Sequence, residues 1–77
     1  MEYRFHYTKH FAQRTDLRNL STENIKNVIY FPDSKDRAGN GQKGVRWVFV
    51  KSVDGATLKV VAEIKKNECW IVTAYEI

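Results

Sequence analysis

VRWVFVKSVDGATLKVVAEIKKNECWIVTAYE, residues 45–76, is the stretch whose reading decides the fold. Val45 to Lys51 reads as a strand, with Val45, Trp47 and Phe49 on one side. Asp54-Gly55 is a turn dipeptide, and it leads into a second strand from Thr57 to Ile64. Lys65-Lys66-Asn67-Glu68 turns the chain again into a third, from Cys69 to Glu76. Three strands joined by tight turns make an antiparallel meander. Strict alternation along the last strand puts Thr73 and Tyr75 on the side of Cys69 and Ile71, with Trp70, Val72 and Ala74 on the other.

Working back from this stretch, Ser34 to Gly44 is polar and holds three of the glycines, and Asn40-Gly41 is a two-residue hairpin signal. A short strand before that turn would make the meander four-stranded. Ser21 is a good N-cap, Glu23 sits well near the positive end of a helix, and Leu20 can staple to Ile25. Ile25, Val28 and Ile29 then form the i, i+3, i+4 stripe of a helix lying on a flat surface, and Pro32 stops it. Thr8 can cap an earlier helix from Lys9 to about Asp16, on which His10 and Arg14 share one face, with Arg18 joining them if the helix runs on that far. Glu2 to Tyr7 alternates aromatic with polar residues and reads as a short first strand. The expected fold is therefore α+β within a single domain, residues 1–77. It has a short N-terminal strand, two helices, then a three- to four-stranded antiparallel meander with the helices packed on one face. The other face is left for a ligand.

Composition sets the class. At 77 residues there is room for one compact core and no second domain, and 43% hydrophobic residues with one Pro describe a globular chain. No apolar run approaches the roughly 20 residues of a membrane span, and Met1 to His6 has no signal-peptide core, so the expectation is a cytoplasmic protein with no membrane partner. The lone Cys69 excludes an internal disulfide and a cysteine-rich zinc site; it reads as a buried thiol. Thirteen Lys and Arg against nine acids give a net charge of +4, which favours a polyanionic partner: nucleic acid or an acidic protein.

His10, Arg14 and Arg18, followed by Leu20-Ser21, Ile25, Val28-Ile29 and Pro32-Asp33, resemble the His-x3-Arg opening of small RelE-like proteins. Arg46-Trp-Val-Phe49, Leu58-Lys-Val-Val61 and Ile71-Val-Thr-Ala-Tyr75 resemble the closing strands of the same group, the Barnase–EndoU–colicin–RelE (BECR) superfamily. The resemblance runs from about Tyr3 to Tyr75. It implies metal-independent RNA cleavage without a cofactor, by the toxin of a toxin–antitoxin or toxin–immunity pair whose antidote is acidic. Residue by residue, His10 and Arg14 match the group's helix-borne polar pair, Arg46 its basic residue on the first meander strand, and Thr73 and Tyr75 its polar positions on the last. Two departures stand out: a longer, more polar loop from Lys35 to Lys43, and no second histidine on the closing strands.

Metal-free RNA cleavage needs a base for the 2′-OH, an acid for the departing 5′-oxygen, and cations for the charge on phosphorus. His10 suits the base, since an unperturbed imidazole titrates at about 6.5. Tyr75 suits the acid or an orienting group, and Arg14 and Arg46 suit phosphate. Arg18, Lys51 and Trp47 are candidates for RNA binding, Trp47 by stacking on a base. Each has a simpler reading. His10 can bond its own backbone or pack beside Tyr7, Thr73 and Tyr75 can be an ordinary strand end, and Trp47 shares a face with Val45 and Phe49 and so fits the core. His6 and His10 have a helical metal spacing but fall in different elements with no third ligand nearby, so no metal is expected. Gly39-Asn40-Gly41 is a turn, and Asn19-Leu-Ser21 fits a glycosylation sequon with no sign of secretion. Two further functions compete: a catalytically silent RNA- or protein-binding member of the same fold, and an antitoxin or immunity-type inhibitor. A charge of +4 is the wrong sign for an inhibitor of basic nucleases.

Overall fold

The computed structural model describes residues 2–7 and 21–77. The elements run β1 (Arg4–Tyr7), α1 (Thr22–Tyr30), β2 (Ser34–Asn40), β3 (Val45–Val53), β4 (Ala56–Lys65) and β5 (Glu68–Glu76). The five strands form one mixed sheet in the order β1-β5-β4-β3-β2. The expected α+β arrangement of two helices on an antiparallel meander is thereby corrected. Among the described residues there is one helix of nine residues, and β1 is an integral strand, paired in parallel with β5 along Phe5–Cys69 and His6–Trp70. The helix expected from Lys9 to about Asp16 lies outside the described residues, as do His10, Arg14 and Arg18.

α1 follows from its own sequence. The Ser21 hydroxyl accepts from the Asn24 N–H at 3.2 Å, so the first turn is capped, with Glu23 within it. Ile25, Val28 and Ile29 are buried against Phe49, Leu58, Val60, Ala62, Cys69, Ile71 and Ala74, which make the core face of the sheet. Before Pro32 the chain leaves the helix with Phe31 still donating to the Asn27 carbonyl. Beyond that point the Lys51 ammonium donates to the Phe31 carbonyl at 2.7 Å. Beside β1, Tyr30 stacks on Tyr3 and meets Phe5 edge-on, and its hydroxyl accepts from the Tyr3 N–H.

The turns differ in how far their residues anticipate them. Asp54 (φ 49°) and Gly55 (φ 83°) form the two-residue left-handed turn that an Asp-Gly pair favours. Lys66 takes the same left-handed conformation (φ 57°) without being glycine. Asn40-Gly41 is not a two-residue turn. Asn40 still pairs with Val45, and the Gly41 N–H reaches the Gly44 carbonyl across a longer loop. β2 is a full strand of seven exposed residues, polar because it is an edge with little to cover it.

Candidate functional site

Residues paired across neighbouring strands share a sheet face, so the register sorts every candidate side chain. Arg46 pairs with Glu63, Glu63 with Trp70, and Trp70 with His6. These four therefore form one row across β3, β4, β5 and β1, on the face opposite α1. Val61 pairs with Thr73 and Lys59 with Tyr75, placing both strand-end residues on this same face. The expectation that Thr73 and Tyr75 share a side with Cys69 and Ile71 is corrected here. Between the Ala62–Ile71 and Val61–Thr73 pairs β5 carries one extra residue, Val72, a β-bulge that reverses the alternation beyond it. Ala74, expected opposite Ile71, is buried in the core beside it.

Charges on this face are paired with care. The Glu63 carboxylate is 4% exposed and accepts from Arg46 Nε at 3.1 Å, Arg46 Nη2 at 2.6 Å and the Lys43 N–H at 2.9 Å. Burial pushes its pKa up. The Arg46 hydrogen bonds and charge and the Lys43 N–H outweigh that, and hold it below the usual carboxylate value. A Cβ at Gly41 would collide with this carboxylate, so glycine at 41 lets the β2–β3 loop close over Glu63 without displacing it from Arg46. Tyr75 lies beneath the Lys59 ammonium, 5.8 Å from its ring centre.

At the β1 end of the row, His6 stacks on Trp70 with ring centres 5.3 Å apart and planes at 21°. His6 Nε2 meets Glu68 Oε1 at 3.3 Å, and Arg4 Nη1 approaches the same oxygen at 3.7 Å. Reading the sequence for a helical His6–His10 pair misses this cluster. The signal was the alternation of Arg4 and His6 against Phe5 and Tyr7, which marks one face of a strand; its neighbour was not legible.

Arg46, Thr73 and Tyr75 thus share the distal face, but they do not crowd one point. Arg46 and Tyr75 are two strands and four residues apart in register, about 17 Å between backbones at standard sheet spacings. Thr73 lies nearer the His6–Trp70 end. Trp47 and Lys51 pair with Ala62 and Leu58 and so occupy the α1 face, away from that set. Trp47 packs against the core cluster with Lys35 Nζ 4.5 Å above its ring, while Lys51 is held by the Phe31 carbonyl and lies 4.0 Å from Asp33. Cys69 is fully buried, and burial pushes its thiol up to about 12. Among the described residues no group of three His, Cys, Asp or Glu could hold a metal ion, and no helix is long and apolar enough to cross a membrane.

A family profile matches residues 7–76, nearly the whole chain, and the protein belongs to that family: a domain of unknown function, DUF4258. No curated protein and no solved structure matches the chain.

Proposed function

We propose that this chain is a small metal-independent RNA-cleaving protein of the cytoplasm, the toxin of a pair whose antidote is an acidic protein. RNA lies across the sheet face opposite α1. The observation that carries this reading is the composition of that face: Arg46, Trp70 and His6 in one row, with Thr73, Tyr75 and Lys59 beyond it. A net charge of +4 and the resemblance of His10, Arg14 and the closing strands to RelE-like proteins support it. In the reaction the 2′-OH gives its proton to His10 as O2′ bonds to phosphorus. The P–O5′ bond breaks, and O5′ takes a proton from Tyr75. The products are a 2′,3′-cyclic phosphate and a 5′-hydroxyl, and Arg14 offsets the charge on phosphorus.

The test is incubation of the purified protein with single-stranded RNA in excess EDTA, with product ends identified, alongside growth of cells expressing it without an antidote. Cleavage to cyclic-phosphate ends, lost in His10→Ala and Tyr75→Phe, is the expected result. An intact RNA and unimpaired growth would refute the reading. One observation favours a silent RNA-binding domain instead: Arg46 is already engaged by a buried carboxylate, a structural use of the charge. RNA binding without cleavage would select that alternative.

A further inference from the structure

We infer that His6 and Trp70 together form a nucleobase platform, on which an unpaired base of single-stranded RNA extends the stack. The inference rests on RNA as the ligand of the distal face, though not on its cleavage. Trp70 sits in the middle of the row and is flanked by His6 on the edge strand β1. Their rings are 5.3 Å apart and nearly parallel, so the imidazole already occupies the place a base takes over an indole. Stacking on such a pair continues through the outer face of the imidazole, whose side chain is 40% exposed. His is among the side chains that receive splayed-out RNA bases.

Two features make the pair a built platform rather than a chance contact. Glu68 meets His6 Nε2 at 3.3 Å, which restrains the ring's rotation about its side-chain bonds and keeps it nearly parallel to Trp70. A ring held in advance loses little conformational freedom when a base arrives. Arg4 stands at the same carboxylate with 74% of its side chain in solvent, and it supplies the cation for the phosphate attached to a stacked base. A base in a duplex has both faces covered by its neighbours and cannot extend this stack, so the site selects single strands.

The experiment measures binding of a short oligouridylate, and of the same strand in a duplex, to the full chain at low salt in EDTA. Fluorotryptophan labelling gives one fluorine NMR signal each for Trp70 and Trp47, assigned with Trp70→Phe. Trp47, on the opposite face, is the internal control. The expected result is a shift of the Trp70 signal alone, with His6→Ala weakening binding at least about fivefold, the lower end of a base–aromatic stack. His6→Phe, which stacks but carries no proton, should bind within about twofold of wild type. Circular dichroism of each variant confirms folding. Wild-type binding that His6→Ala leaves unchanged, a His6→Phe protein as weak as His6→Ala, or equal affinity for the duplex would each overturn the platform. Binding that depends on His6 with no cleavage keeps the platform and removes the ribonuclease reading; cleavage unaffected at His6 does the reverse.

Discussion

Replacing Arg46 with alanine separates its structural role from any catalytic one. The substitution leaves the Glu63 carboxylate, 4% exposed, with the Lys43 N–H in place of three donors. Removing one partner of a buried ion pair costs about 3–5 kcal/mol, because the other charge stays desolvated. Arg46 keeps 42% of its side chain in solvent, so water can replace part of what is lost. The expected cost is then about 2–3 kcal/mol, reading down from that range. In a domain of this size, that lowers the Tm by about 10–20 °C. Urea titration followed by circular dichroism measures it. Glu63→Gln should remove most of the penalty when combined with Arg46→Ala, because a neutral amide tolerates the site. The pH dependence has a definite sign. The folded pKa of Glu63 is lowered, so its contribution is complete above its unfolded value of about 4.5 and disappears as pH falls through the folded value. Wild type should therefore lose stability in that acid window, and Glu63→Gln should show a flatter profile there. A loss below about 0.5 kcal/mol in Arg46→Ala, within the range of an exposed pair, would refute the reasoning.

Two further outcomes follow from the packing. Cys69 is fully buried with its thiol pushed up to about 12, so an aromatic disulfide reagent at mildly alkaline pH should label the native protein at least about a hundredfold more slowly than the unfolded one; equal rates would contradict its placement. A Cβ at Gly44 would collide with the Ile64 carbonyl, which belongs to the β4 backbone and cannot swing away, so Gly44→Ala should cost about 1–3 kcal/mol in chemical denaturation. An unchanged midpoint would mean that the β2–β3 loop does not press on β4.

What the sequence by itself determined is local. Ser21 caps α1 and Ile25, Val28 and Ile29 face the core because capping and helical period act within a few residues. Asp54-Gly55 turns the chain because those two residues tolerate left-handed backbone at small cost. Trp47 joins Val45 and Phe49 on one face for the same local reason, the two-residue period of an unbroken strand. The tertiary structure decided the rest. β1 announces its own alternation but not its neighbour; pairing in parallel with β5 joins residues more than sixty positions apart, as His6 and Glu68 are, and no local pattern encodes such a partner. Ser34 to Asn40 lacks the apolar alternation of a buried strand because it lies at the sheet edge, where pairing to β3 on one side holds polar residues in a strand. The decisive case is Val72. One bulged residue moves Thr73 and Tyr75 from the core face to the face of Arg46, Trp70 and His6, and counting by twos cannot see it. The residue types of the site were legible in the sequence; which of them meet depends on strand register, a property of pairs of strands rather than of either strand alone.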